Sequence, residues 1–372
     1  MQVSIDVIIP SFRLEEKYIL PILRLPRPAD AAVKFYLIVD NPSIQPSAAI
    51  RELVDHTHIF LLVNEQNMGA AETRNKGIDV TDADWILFLD DDIAVSDDLL
   101  VVYAQAAIRE PAATGFIGLV QLPPPQSLFT KAIGISGSMD IFGIAEHKSS
   151  FAWGATANMM IRRSAIGDTR FSTAYPKSGG GEDVDFFLRV RERNGFENYR
   201  TLPQARVVHP WWNNEKVSFL RPFRYGKGNS WLGALNPQYT YYDFLNTPET
   251  VLLSLLAALL LFLAGSAWAW PVLIFTAGVL AIELVASAVQ TVKRGATAHP
   301  VIIGYVTALR LVYETGVLWG KLSRMQPGKI GERFHDDGIV NKVFFYRSNT
   351  YRIVKWVLYP LLAWLILHHT SA

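Results

Sequence analysis

The chain contains no cysteine in its 372 residues. That excludes a disulfide framework, thiolate metal sites and a cysteine nucleophile. An excess of charge is missing too: 35 basic residues stand against 34 acidic ones, so nothing global points to nucleic acid as a partner. The opening "MQVSIDVIIPSF" has neither a basic leader nor a long apolar run. No secretory signal is expected there, and the N-terminal part is placed in the cytoplasm. Charge is also missing locally. From Val251, "VLLSLLAALLLFLAGSA" carries none over 17 residues, and "VLIFTAGVLAIELVASAV" is interrupted only by Glu283.

What is abundant is apolar residue, half of the chain. About 20 apolar residues span a bilayer, and Trp268 and Trp270 sit where interfacial aromatics lie. A buried helical hairpin of a globular domain is the competing reading. The expected layout is a catalytic domain over 1–245 and a membrane-associated region over 246–372 at the inner (cytoplasmic) membrane. That region would hold a hairpin at about 251–289, then an interfacial helix at about 301–320 with Arg310 and Glu314 at i and i+4. A basic cytoplasmic segment over 321–353 and an apolar C-terminal helix at about 354–368 complete it. Lys321, Arg324, Lys329, Arg333, Lys342, Arg347 and Arg352 in this stretch are expected to rest on anionic headgroups of membrane lipids.

Before Pro248 the texture is that of a soluble domain. Apolar runs recur and each ends in polar residues: "VIIPSF" at Pro10-Ser11, "FYLIVDN" at Asp40, "IFLLVNEQN" at Asn64, "WILFLDDD" at Asp90. Strands apolar on both faces, alternating with helical stretches such as the one after Gly69, predict a mostly parallel sheet covered on both sides. Ligands of such sheets bind beyond the carboxyl ends of the strands. Along an extended chain Asp90 and Asp92 point one way and Asp91 the other. Two carboxylates on one side repel, and a divalent cation relieves that; oxygen ligands suit Mg²⁺ or Mn²⁺. A solvated acidic loop is the plainer reading of the same three residues.

In "SGGGEDVDFFLRVRERNG" three glycines precede Glu182 and Asp183, and the following residues read as a helix closed by Gly195. Acids in a first helical turn are common for dipole reasons alone, yet a carboxylate there is also kept ionised, as a general base requires. His209 in "VVHPWW" follows a short apolar run. Arg221, Arg224 and Lys227 are candidates to grip a diphosphate or, equally, a lipid headgroup. Trp153-Gly154 and the stiff "QLPPPQSLFTKAIGIS" (121–136) are acceptor-side candidates.

Taken in order, "VIIPSF", "VDN", "NMGAAETRNKGI", "FLDDD", "GGGEDVDFFLR" and "VVHP" resemble the inverting family 2 glycosyltransferases with the GT-A fold, over roughly Val3 to Ser230. The resemblance implies a Rossmann-like α/β fold, a nucleotide-diphosphate sugar donor and a Mn²⁺ or Mg²⁺ ion. By it, Pro10, Ser11 and Phe12 border the nucleotide, Asp40 meets the base, and Asn67, Gly69 and Arg74 contact nucleoside and phosphates. Asp90 and Asp91 lie near the donor, Asp92 holds the metal with Asp90, and His209 completes it. Asp183 is the catalytic base, with Glu182 beside it. Where many members read P-x-Y-N, this chain has Phe12 and Arg13; the "QxxRW" motif of the processive synthases does not occur. The acceptor is expected to be a lipid-linked glycan. A glycoside hydrolase using Asp92 and Asp183, or a non-catalytic membrane sensor of sugar nucleotides, are the rival readings. Free sugar released without nucleotide marks the first, and absence of turnover the second.

Overall fold

The computed structural model describes residues 2–177, 180–340 and 350–370. The chain divides into two compact units: Met1–Pro124 with Met139–Trp212, and Pro125–Ser138 with Asn213–Ala372. Hydropathy put the divide near residue 245. Residues 213–245 instead belong with the apolar helices, because hydropathy registers apolar runs and not the less apolar helix that packs on them.

The first unit is a nine-stranded mixed sheet with strands β1 (Val3–Ser11), β2 (Ala31–Val39), β3 (Ile59–Val63), β4 (Trp85–Leu89), β5 (Ala94–Val95), β6 (Gly115–Gln121), β7 (Ser150–Phe151), β8 (Asn158–Arg162) and β9 (Tyr199–Val208). Between them run helices α1 (Glu16–Leu23), α2 (Ala48–Leu53), α3 (Ala70–Val80), α4 (Leu99–Arg109), α5 (Leu128–Ser136), α6 (Ile144–His147), α7 (Arg163–Ile166) and α8 (Glu182–Arg193), of which α5 joins the second unit. The strand order is β3-β2-β1-β4-β8-β6-β9-β5, with β7 also on β9. The pairs β1–β2, β2–β3, β1–β4 and β6–β9 are parallel, and β8 runs antiparallel to both β4 and β6. The long strands other than β8 therefore all end at one edge.

Alternation along the strands builds two cores. Ile5, Val7, Ile9, Phe35, Leu37, Leu87 and Leu89 face α1, α2 and α4. Ile8, Ile38, Ile86 and Phe88 face α3, α7 and α8. Both faces are covered, as the unbroken apolar runs predicted.

The second unit comprises α5, α9 (Leu220–Leu235), α10 (Thr247–Leu263), α11 (Ala269–Gly295), α12 (Pro300–Leu322), α13 (Thr350–Thr370) and the pair β10 (Thr240–Tyr242)–β11 (Glu332–Phe334). Helices α9 and α12 meet through small residues: a Cβ at Gly226, Gly316 or Gly320 would strike Tyr313, Phe223 or Ser230. Among the described residues, α11 and α12 are the two helices long and apolar enough to cross a membrane, by length and composition. The expected hairpin is thus differently proportioned. Its first arm, α10, has only 17 residues, about 26 Å at 1.5 Å per residue. The stretch read as interfacial forms the longer α12, and its Arg310 reaches Glu283 of α11.

The basic segment is corrected more sharply. Lys321 and Arg333 are buried and turned to Glu249, Lys355 is buried on Glu283, and Arg324 stacks on Trp231. Each found an acid or a ring inside the unit, so these four do not form a headgroup-facing patch. Lys342, Arg347 and the side chain of Arg352 lie outside the described residues.

Candidate active site

The sequence of strands turns back at β1: β2 and β3 lie on one side of it, β4 on the other. The carboxyl ends of β1 and β4 are therefore the switch point where open α/β sheets form ligand clefts. Ser11 ends β1, and its Oγ donates to Asp91 Oδ2 at 2.6 Å while accepting the Leu14 N–H at 3.1 Å. β4 stops at Leu89, so the three aspartates lie in a turn and not in extended strand. Asp91 still faces away from its neighbours' site, toward Ser11. Burial raises its pKa, and the Ser11 bond offsets part of that.

Asp90, Asp92 and His209, which directly follows β9, each bring one ligand atom into a group whose members lie within 4.8 Å of one another. His209 Nδ1 is 2.6 Å from the Pro210 carbonyl, which can only accept, so Nδ1 carries the proton. In the neutral ring Nε2 then presents a lone pair 3.3 Å from Asp92 Oδ1. A cation bound between that lone pair and the carboxylate would satisfy both. One nitrogen and two carboxylates suit Mn²⁺, and Mg²⁺ less well. The donor set fits the expected metal.

Two guanidiniums enter the cluster. Arg74 of α3 is buried over the Phe171 ring, with Nη2 3.1 Å from Asp90 Oδ1 and Nη1 3.7 Å from Glu182 Oε1. Arg13 Nη2 lies 2.6 Å from Asp92 Oδ2 and 3.8 Å from Asp91 Oδ1. Five carboxylates (Asp90, Asp91, Asp92, Glu182, Asp183) thus share two guanidiniums, leaving three negative charges when all are ionised.

Glu182 and Asp183 open α8, after Gly181 in the left-handed region at φ 105°. That turn requires glycine, which accounts for part of the glycine run. Burial, then the neighbouring Asp183, pushes Glu182 up to about 7, against the pull of Arg74. Burial raises Asp183 as well. Glu182 is tied to Arg74, whereas the bond described for Asp183 is to its own helix, from the Val184 N–H at 2.8 Å. Asp185, one turn face away, is paired with Arg189 at 2.7 Å.

Several predicted residues are placed differently from what the family likeness implies. Asp40 accepts from Asn64 Nδ2, Met68 N and Gly69 N, at 2.7–2.8 Å, and so clamps the turn before α3. Asn67 Oδ1 accepts from Gly69 N within that turn. Arg74 is committed to carboxylates. Phe12 is half exposed at the strand end, as a platform would be, and Pro10 continues the β1–β2 ladder. Trp153 packs against the α8-side core, and a Cβ on Gly154 would meet Ile117 and Met159 at 2.9 Å. Both pack against the α8-side core of the sheet. Arg224 and Lys227 lie on α9, in the second unit. Of the proline-rich stretch, Gln121–Pro124 lines a cavity of about 600 Å³ with Phe142, Glu146 and Val208; residues 125–138 fold with the second unit.

Residues the sequence did not single out are Arg13, Lys177 and Pro210. Lys177 lays its stem on Gly69 and donates to the Asn67 carbonyl at 2.9 Å. The signal for Arg13 was present: a cation directly after a strand end that should face acids.

A model of the family described as Glycosyl transferase family 2 matches residues 6–168. An uncharacterized glycosyltransferase of Haemophilus influenzae is 27% identical over 184 residues, covering 44% of this chain and 54% of that protein. The succinoglycan biosynthesis protein ExoM of Rhizobium meliloti is 26% identical over 204 residues, 52% of this chain and 62% of that protein. The chain thus matches little more than half the length of these relatives. The crystal structure of S. aureus TarS 1-349 in complex with UDP-GlcNAc aligns with a TM-score of 0.44 at 13% identity, over 86% of this chain and 92% of that one. Residues 6–168, which hold the switch point, the acid turn and Arg74, are the part of the chain that matches glycosyl transferase family 2.

Proposed function

We propose that the chain is an inverting glycosyltransferase that moves a sugar from a nucleoside-diphosphate donor to an acceptor hydroxyl. The observation that carries this reading is the pairing, at one strand edge of a family 2 domain, of a cation-ready acid set with a second, high-pKa acid pair on α8. Phe12 and Ser11 border the donor, and Asp90, Asp92 and His209 hold the ion. A bound Mn²⁺ or Mg²⁺ supplies positive charge to the leaving diphosphate. Asp183 accepts the proton of the acceptor hydroxyl as its oxygen bonds to the anomeric carbon and the bond to the diphosphate breaks, with inversion. Arg74 keeps Glu182 and Asp90 in register with each other. General-base help of this kind is worth about 10²–10⁴ in rate.

We further infer an acceptor carried by a membrane lipid, in polysaccharide assembly at the cytoplasmic face of the inner membrane. The second unit supports this. Leu260, Phe262, Leu263, Trp270 and Val285 are exposed while Glu283, Thr276, Ser287 and Thr291 are buried. Apolar outside and polar inside is the arrangement a bilayer favours and water does not. The relative named for succinoglycan biosynthesis agrees with a polysaccharide product. Purified protein with Mn²⁺ and a panel of UDP-, GDP- and dTDP-sugars should release nucleoside diphosphate, faster with a polyprenyl-diphosphate-linked glycan than with a soluble one. Free sugar released without nucleotide dependence refutes transfer; equal rates on both acceptors refute the lipid-linked reading alone.

A further inference from the structure

The two guanidiniums of the acid cluster are held in different ways. Arg74 is buried and fixed between Asp90 and Glu182. Arg13 sits just beyond β1 with its side chain 52% exposed, and it reaches inward to Asp92 Oδ2 at 2.6 Å. The other oxygen of Asp92 faces His209 Nε2. Asp92 is therefore contested. The carboxylate that best completes the cation set is already ion-paired to a cation of the chain's own, and that cation, unlike Arg74, lies half in solvent, with Glu15 on its outer side 3.6 Å from Nε.

We propose that Arg13 is a built-in competitor for the cation site: its guanidinium and a divalent ion exclude one another at Asp92, and ion binding drives Arg13 off that carboxylate. The inference rests on the metal reading above. Three features carry it. The contact is short and charge-assisted, so displacing it weakens ion binding. The side chain is half in solvent on a flexible stem, so it has somewhere to go. Two positive groups beside one carboxylate repel. The displaced guanidinium remains next to the cleft, where a diphosphate takes an arginine through two parallel hydrogen bonds. Ion and donor would then enter together, each making room for the other.

The test is titration of the full chain in detergent with Mn²⁺ alone, read by the electron-paramagnetic-resonance signal of the free ion. R13A should bind Mn²⁺ about five- to tenfold more tightly than the parent chain, and R13K should fall between, since it keeps the charge and loses the fork. In a D92N background R13A should bring no gain. A R13A affinity within twofold of the parent, or a weaker one, overturns the proposal. Should R13A fail to fold, R13K decides, and parent-like affinity there overturns it. If neither chain binds Mn²⁺ while sugar transfer persists in EDTA, the metal reading falls and this one with it; equal binding by both removes only the role of Arg13.

Discussion

The two units each hold a cluster of buried or half-buried charge, and the clusters are balanced oppositely. In the helical unit the two fully buried carboxylates each have two cations: Glu283 has Lys355 at 2.5 Å and Arg310 at 3.2 Å, and Glu249 has Arg333 at 2.5 Å and Lys321 at 3.8 Å. In the sheet unit five carboxylates share two guanidiniums. The contrast separates architecture from chemistry. A saturated cluster fixes helices and has no charge left to offer, whereas a deficit of cations among carboxylates is relieved by taking up protons or by binding a cation.

That comparison can be broken by substitution. The largest effect is expected from Asp92→Asn, which removes an anionic ligand from the deficient cluster: transfer should fall about 10³-fold or more, with Mn²⁺ binding lost and folding intact. Activity that survives both this change and EDTA would make the deficit meaningless. Glu283→Gln should act the other way round. It leaves the buried Lys355 and the partly buried Arg310 short of their partner, so stability in detergent should drop by about 3 kcal/mol, read as a lower unfolding midpoint. An unchanged midpoint would remove the distinction between the two clusters.

Next in size is Asp183→Asn, which keeps the shape and removes the proton acceptor. Donor binding should persist while turnover falls about 10²-fold. The smallest effect concerns pH. A base must be ionised, and burial raises the Asp183 pKa, so the rate should fall with acidification at a higher pH than an ordinary carboxylate predicts. Burial and Asp183 raise Glu182 to about 7, so Glu182 is largely protonated through that limb, and Glu182→Gln should leave the limb in place. A limb that moves to lower pH would mean that Glu182 is ionised there and repels Asp183.

Legibility in the sequence followed the range of the interaction. Strands apolar on both faces announced β1, β2 and β4 and the edge they share, because alternation and burial are local. Asp90, Asp92 and His209 came together as the strand-end pattern and the family likeness implied. What escaped was partnership. Asp40 looks like a ligand-facing acid by position, yet three donors of the turn after β3 claim its oxygens. Lys321, Arg333 and Lys355 look like a surface patch, yet their acid partners lie 72 to 84 positions away in the chain. No window of sequence contains both members of such pairs. Arg74 and Asp90 show the same limit at shorter range.

Residues 125–138 have a temporal meaning. Their helix, α5, buries Phe129, Ala132 and Ile135 against Ile302, Val306 and Leu309 of α12, which begins about 160 residues later. At synthesis rates of about 5–20 residues per second, that apolar stripe waits roughly 8–30 s for its cover. Until then Phe129, Ala132 and Ile135 lack their α12 partners, and a nascent chain paused in this interval offers chaperones a ready handle. A chain cut near residue 248 would stay permanently at that stage.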